Sequence, residues 1–276
     1  MKKMQDLLDL AIRAARKGAG EILDVYSRDF DVEFKADSSP LTMADRRAHV
    51  AISSVIANAG LPILSEEGKH MHYTERQGWN RFWLVDPLDG TKEFVKRNGE
   101  FTVNVALIDN GFPVLGVILV PVTGKLYYAA KGIGAFMTTI EPGNEELTGD
   151  QLPLKPSGQE IYRVVCSRSH MSPETEEFIQ TLRPAHPEME YVSIGSSLKL
   201  CLIAEGAADL YPRFGPTMEW DTAAGQAIVE ISGGYVQISD SGERMHYNKE
   251  NLLNPWFIAG RYFSTSTSST SNTSVE

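Results

Sequence analysis

The chain has 276 residues, a net charge of −10 and 42% hydrophobic residues. The acidic balance argues against polymeric nucleic acid as a partner. The apolar content supports a substantial core in one large domain or two modest ones. The longest apolar run, Val114 to Val122, falls well short of the ~20 residues that a membrane span needs.

Met4, Leu8, Ile12, Ala15, Ile22 and Tyr26 recur near one face, which predicts a helix over Met4 to Tyr26. The charged N-terminus runs into this amphipathic pattern rather than into the apolar block of a signal peptide. Val32 to Lys35 predicts a short strand, and Ser38-Ser39-Pro40 punctuates the chain. A second helix starts at Thr42, with Ala48, Ile52, Val55 and Ile56 as its core stripe. Within it, Thr42 and Asp45 read most simply as a capping box, an acid in the first turn suiting the helix dipole. Leu61 to Leu64 predicts a buried strand ending in Ser65-Glu66-Glu67-Gly68. Strand alternation lets only one of the two glutamates face a given site; otherwise the stretch is a solvated acidic turn.

The next stretch is the most informative. Phe82 to Val85 predicts a buried strand that delivers Asp86-Pro87-Leu88-Asp89-Gly90-Thr91. Pro87 fixes its own φ and pushes Asp86 into an extended conformation. A sharp turn there places both carboxylates on one side, and Gly90 admits close backbone approach. Two fixed carboxylates and an exposed carbonyl suit a hard cation such as Mg²⁺. The Gly90 and Thr91 N–H groups, if they open a helix, suit a phosphate oxygen. The plain alternative is a polar turn. An EF-hand is excluded, because Pro87 and Leu88 stand where alternating oxygen ligands are needed. Phosphatases that form an aspartyl-phosphate carry two aspartates two positions apart; here they are three apart, which argues against that geometry.

Phe101 to Ile108 alternates as a strand, Asp109-Asn110-Gly111 predicts a tight hairpin, and Val114 to Val120 with Leu126 to Ala130 continues a meander past the Thr123-Gly124 turn. This predicts an antiparallel sheet covered by the two N-terminal helices. Glu141 to Asp150 reads as an acidic surface loop, which places a boundary between an N-terminal α+β domain (1–150) and a C-terminal α/β domain (151–262). In the second half, strands at Ile161 to Ser167, Tyr191 to Ile194 and Ala208 to Pro212 alternate with helices starting at Ser172-Pro173, Ser196 and Trp220. Final strands are expected at Tyr235 to Ile238 and Phe257 to Gly260. Residues 263–276 form a Ser/Thr-rich tail that cannot bury apolar area and is expected to be disordered. Cys166 and Cys201 form no C-x-x-C and are expected to be buried thiols in a cytoplasmic protein.

Asp45, Glu66, Asp86, Asp89 and Asp221 each fall at a strand end or a helix start, where sites are built. Taken alone, Asp221 reads as an acid at a helix N-terminus and His170 as a surface histidine. Asp86-Pro87-Leu88-Asp89-Gly90-Thr91 together with Trp220-Asp221-Thr222-Ala223-Ala224-Gly225 resembles the paired signature of the inositol monophosphatase superfamily, over about residues 4 to 262. The resemblance implies a layered α-β-α-β-α sandwich and a metal-dependent, lithium-sensitive phosphatase. Trp83 to Phe94, Val192 to Lys199 and Leu210 to Thr217 are most similar to the bacterial 3′(2′),5′-bisphosphate nucleotidase branch. That branch converts adenosine 3′,5′-bisphosphate to AMP and phosphate.

By that resemblance, Glu66, Asp86, Asp89 and Asp221 are the metal-binding carboxylates and Leu88 lends its backbone carbonyl, to hold two or three Mg²⁺. Asp45 and Thr91 position and activate the attacking water. His170, Ser196, Lys199 and Arg213 contact the nucleotide and its second phosphate; Glu66, Leu88, Asp89, Gly90, Thr91 and Asp221 complete the substrate surface. Ser196 and Lys199, three apart at a helix start, would share a face. The resemblance further implies a small-molecule substrate, a monomer or homodimer, and cytoplasmic localisation; relatives are also known at the cytoplasmic face of the inner membrane. The rivals are an inositol- or sugar-phosphate phosphatase, an aspartyl-phosphate enzyme built on Asp86, and a non-catalytic nucleotide- and metal-binding protein.

Overall fold

In the computed structural model, which describes residues 2–28, 40–140, 148–154, 161–166 and 171–262, two long helices cover one face of a seven-stranded sheet. α1 (Met4–Tyr26) turns Leu8, Ile12, Ala15 and Ile22 inward, as its periodicity predicts. α2 (Pro40–Ile56) adds Ala44, Ala48, Ile52 and Ile56. α2 begins two residues before Thr42, so Thr42 and Asp45 are not its cap and the capping-box reading fails. Pro40 is pre-organised for a first helical turn, and Asp45 lies a full turn inside, where its side chain is buried.

β1 (Ile63–Ser65) pairs parallel with β2 (Arg81–Asp89). The rest is an antiparallel meander through β3 (Thr102–Asp109), β4 (Phe112–Leu119), β5 (Lys125–Ala130), β6 (Gly134–Thr139) and β7 (Asp150–Gln151). The β3–β4 hairpin turns at Asn110 and Gly111, both with positive φ (50° and 79°), as a primed two-residue turn requires. Two short helices, α3 (Tyr73–Arg76) and α4 (Thr91–Val95), sit in the connections. Neither α3 nor β6 nor β7 is foreseen by pattern: four residues do not complete a helical repeat, and β6 carries only Phe136 and Met137 as large apolar residues.

The second sheet has the order β11-β12-β10-β8-β9, from β8 (Tyr162–Cys166), β9 (Met189–Ser193), β10 (Leu210–Arg213), β11 (Gly234–Ile238) and β12 (Phe257–Arg261). Its β8, β9 and β10 run parallel, and β12 is antiparallel to both neighbours. α5 (Pro173–Leu182), capped by Ser172, covers its outer face through Ile179. α6 (Leu198–Glu205) and α7 (Glu219–Ile231) lie between the two sheets.

Strand alternation separates three cores. Trp83 and Val85 face α1 and α2, while Phe82 and Leu84 face α6 and α7. In the second sheet Val165, Tyr211 and Phe257 point at α6 and α7, and Val164, Leu210 and Ile258 point at α5. The layers therefore run α-β-α-β-α. The predicted strand at 32–35, most of the loop at 141–150 and the C-terminal tail lie outside the described residues. Both cysteines are buried and unpaired. Among the described residues no helix is long and apolar enough to cross a membrane.

The central layer is tight where β4 meets α7. A Cβ added at Gly116 would lie 2.2 Å from the carbonyl oxygen of Ala224 and 2.9 Å from the Ala227 side chain. Gly116→Ala is expected to push α7 off the sheet and to cost about 2–3 kcal/mol. Chemical denaturation checks this, and a cost under about 0.5 kcal/mol would show that α7 shifts freely.

Candidate active site

β2 does not end at Val85 and turn at Pro87. It runs on through Asp89, with one extra residue relative to β3: Asp86 pairs with Asn104, and Asp89 with Thr102. Pro87 has no N–H to give the ladder, so the break falls there. In a regular strand an offset of three would put the two aspartates on opposite faces; the bulge returns them to one side. The Leu88 N–H donates to Asp86 Oδ1 at 3.0 Å and holds that side chain in place, while the Leu88 side chain is buried in the core beneath α1 and α2. Gly90 follows with φ 96°, and a Cβ there would lie 3.1–3.2 Å from Ser196, Glu100 and Phe101. Both the left-handed backbone and the close approach demand glycine.

Glu66, Asp86 and Asp221 converge from β1, β2 and α7 with carboxylate oxygens within 4.8 Å of one another. Glu66 stands just past the end of β1, its N–H bonded to the Val85 carbonyl at 3.2 Å. Asp221 keeps its capping function as well, Oδ2 accepting from the Met218 N–H at 2.8 Å. The plain reading of Asp221 as an acid at a helix start holds, and the same side chain joins the trio. Asp89 borders the trio, and of the charges acting on Asp86 its own is the strongest. Asp45 approaches from α2 beside Glu67 and Glu66; its buried Oδ1 has no hydrogen-bond partner. Of the two adjacent glutamates, Glu66 joins the trio.

The electrostatics are those of a cation site. Burial pushes the Asp45 carboxyl up to about 8, with Glu67 and Glu66 adding to it. Burial and the Asp89 charge take Asp221 to about 7. Asp86, 1% exposed, is raised well above the carboxylate range, first by burial and then by Asp89 and Glu66. Glu66 moves the same way, although the residue as a whole is exposed. Acids packed this closely repel one another unless they are protonated or share a cation. The donor set is all oxygen, which suits Mg²⁺ or a similar hard ion.

Each of these carboxyls is raised on folding, so between pH 4 and pH 8 the folded state holds more protons than the unfolded chain. Metal-free protein is therefore expected to lose stability as pH rises through about 7 and 8. Its melting temperature at pH 8 should lie roughly 5 °C or more below that at pH 6, and saturating Mg²⁺ should close the gap. Melting curves at both pH values with EDTA and then Mg²⁺ check this; a gap that Mg²⁺ leaves open would place the titration elsewhere.

A cleft of about 250 Å³ opens beside the acids, lined by Asp89, Gly90, Lys92, Ser196, Lys199 and Arg213 among others, with Asp221 at its edge. A second hollow of about 200 Å³ shares Lys199, Tyr211 and Arg213 and reaches Cys166 and Phe214. Ser196 is not on the helix with Lys199. It precedes the N-cap Ser197 with φ 48°, so the shared helical face does not exist; the two meet because Lys199 Nζ donates to the Ser196 carbonyl at 3.2 Å. Burial pulls Lys199 below the usual ammonium value, the Arg213 charge adding to this and Asp89 opposing it. Arg213 Nε is buried without a partner. Thr91 opens α4 between the cleft-lining Gly90 and Lys92 and is exposed, and it makes no hydrogen bond with Asp45. His170 lies outside the described residues.

A model of the inositol monophosphatase family matches residues 3–270. The chain belongs to the inositol monophosphatase family. Over 261 residues it is 44% identical to the 3′(2′),5′-bisphosphate nucleotidase CysQ of Escherichia coli K12, covering 93% of this chain and all of that protein. The corresponding protein of Haemophilus influenzae is 31% identical over 92% of each chain. The crystal structure of CysQ from Bacteroides thetaiotaomicron superposes with a TM-score of 0.86 at 49% identity, covering 94% of this chain and 97% of that one. An inositol monophosphatase from Zymomonas mobilis, at 23% identity and a TM-score of 0.72, shares the fold. Members of this family are metal-dependent phosphatases, which agrees with the carboxylate cluster.

Sequence reasoning passed over several residues that build the site. Ser197 carries the Asp89 carboxylate, with Asn104 and Thr102 behind it. Fully buried Glu219 accepts from the Asn248 and Lys249 backbones and from Lys249 Nζ, while Arg76 clasps Asn248, Lys249 and Glu250. That clasp ties the segment after Glu66 to the helix start that bears Asp221. Only the Ser-Ser pair after Gly195 gave a local signal for any of these.

Proposed function

We propose that this chain is a Mg²⁺-dependent 3′(2′),5′-bisphosphate nucleotidase that hydrolyses the 3′-phosphate of adenosine 3′,5′-bisphosphate to AMP and phosphate. The carrying observation is the cleft: acids on one wall, and on the other two mutually repelling cations, Lys199 and Arg213, with a buried guanidinium donor unsatisfied. The first wall calls for metal and a scissile phosphate. The second calls for another anion, which a bisphosphate supplies and an inositol monophosphate lacks.

Glu66, Asp86, Asp89, Asp221 and the Leu88 carbonyl are the groups that would hold the metal. Bound divalent cations supply activation of the attacking water and stabilisation of the leaving oxygen. The protein's own part is placement. The bulge at Pro87 aims Asp86 and Asp89, the α7 start aims Asp221, and the backbone around Gly90 and Thr91 faces the scissile phosphate. In this reading Asp45 and Thr91 position and activate the water, without a covalent enzyme intermediate. Ser196, Lys199 and Arg213 orient the second phosphate, with His170 assigned to the same nucleotide surface. The free thiols fit the cytoplasm.

Phosphate release from adenosine 3′,5′-bisphosphate, set beside inositol 1-phosphate and fructose 1,6-bisphosphate, tests this reading. A strong preference for the nucleotide, lost in EDTA and inhibited by Li⁺, is expected. Preference for a sugar phosphate would overturn the roles of Ser196, Lys199 and Arg213 and leave the metal site standing.

A further inference from the structure

Ser197 occupies a junction that the nucleotidase reading does not use. Its N–H and its Oγ both reach Asp89 Oδ2, at 2.6 and 2.7 Å. The same Oγ lies 2.8 Å from the carbonyl oxygen of Asp221, so its single hydrogen sits between the two acceptors. Asn104 Nδ2 donates to Ser197 Oγ at 2.8 Å, and Thr102 Oγ1 donates to Asn104 Oδ1 at 3.0 Å. Ser197, Asn104 and Thr102 are all buried.

The chain of donors has a direction. Thr102 fixes the Asn104 amide, so its NH₂ end meets Ser197 and leaves the serine hydrogen free for Asp89 or the Asp221 carbonyl. Thr102 and Asn104 are the β3 residues that face Asp89 and Asp86 across the bulge. Ser197 also joins the two walls of the cleft. Through Asp89 and the Asp221 backbone it holds the acidic wall; as the N-cap residue of α6 it sets Lys199, two positions on, and Ser196 beside it.

We infer that Ser197, backed by Asn104 and Thr102, is a positioning residue that fixes the Asp89 carboxylate for metal and sets the distance between the acidic wall and the cationic wall of the cleft. Oδ2 is committed to Ser197, which leaves Oδ1 available to a cation. The inference rests on the proposed reading for the nature of the second wall and for Asp89 as a metal-holding group, and on geometry for the bonds that fix Asp89.

The test uses Ser197→Ala, Ser197→Thr and Asn104→Leu in the full chain. Mg²⁺ affinity is read by calorimetric titration, and activity on whichever phosphate ester the unmodified protein hydrolyses best. Ser197→Ala keeps the backbone N–H bond and loses the hydroxyl. It is expected to weaken Mg²⁺ binding about 10–100-fold, to raise the Mg²⁺ concentration for half-maximal activity in parallel, and to leave the melting temperature in EDTA within a few degrees. Asn104→Leu should move Mg²⁺ affinity in the same direction, and Ser197→Thr, which restores the hydroxyl, should recover most of it. A lower melting temperature with unchanged Mg²⁺ affinity in both Ser197→Ala and Asn104→Leu would overturn the inference and leave a structural role only. Because Mg²⁺ binding needs no substrate, a protein that prefers sugar phosphates would sink the nucleotidase reading and leave this result standing.

Discussion

Asp86→Asn is expected to abolish turnover while leaving the fold intact and the metal-free protein more stable than the unmodified one. The side chain is buried and central: Asp89, Glu66, Asp221 and Asp45 all press its carboxyl toward the protonated form. Asparagine has the same shape and its oxygen can still accept from the Leu88 N–H, so the bulge survives. What disappears is one source of repulsion and, on the proposed function, one anionic ligand. Loss of a ligand central to the cluster should remove several kcal/mol of transition-state stabilisation, more than about 10³-fold in rate. Loss of repulsion should raise the melting temperature in EDTA at pH 8 by roughly 2–4 °C, while Mg²⁺ raises it no further. Near-normal phosphate release by this variant would end the metal-centred mechanism. A collapsed fold would instead show that Asp86 is held for structure.

Lys199→Ala is the second large effect. Lys199 and Arg213 face the same cleft, each unfavourable to the other. Removing Lys199 ends the burial of an ammonium and the repulsion by Arg213 and gives up the Asp89 attraction and the Ser196 bond, opposing effects that should leave the fold standing. On the proposed function the lost interaction is a charge-assisted hydrogen bond to the second phosphate, worth about 1.5–3 kcal/mol. KM for adenosine 3′,5′-bisphosphate should rise about 10–100-fold with kcat within a few-fold. KM for 3′-AMP, which has no second phosphate, should change less than about threefold. Steady-state kinetics on the two substrates decide it, and equal rises would remove the reason for placing a second phosphate beside Lys199.

Much of this architecture was legible locally. The apolar stripes of α1 and α2 have the helical period, and Asn110-Gly111 is a primed turn. Ser172-Pro173 is a helix start, and Gly206 closes α6 with φ 75°. The Asp86 to Thr91 motif stands out because Pro87 and Gly90 constrain the backbone around its two aspartates. Other features were misread because local patterns have competing readings. Thr42 and Asp45 spell a capping box, yet α2 begins earlier. Pro87 spells a turn, yet pairing with β3 carries the strand through as a bulge. Ser196 and Lys199 have helical spacing, yet Ser196 stands outside the helix.

Amino-acid order alone settled the positions of most helices and strands, the acidic residues at their ends and the kinship carried by the paired motifs, since all of these depend on neighbours a few residues apart. The tertiary structure decided which acids meet and what holds them. Glu66, already preferred to Glu67 by the resemblance, was brought beside Asp86, Asp221 was shown to cap and to converge, and the bonds of Ser197 to Asp89 and Asn104 join residues 108 and 93 positions apart. No periodicity records such a pair. It exists because α6, packed between two sheets, brings its N-cap to the bulged end of β2.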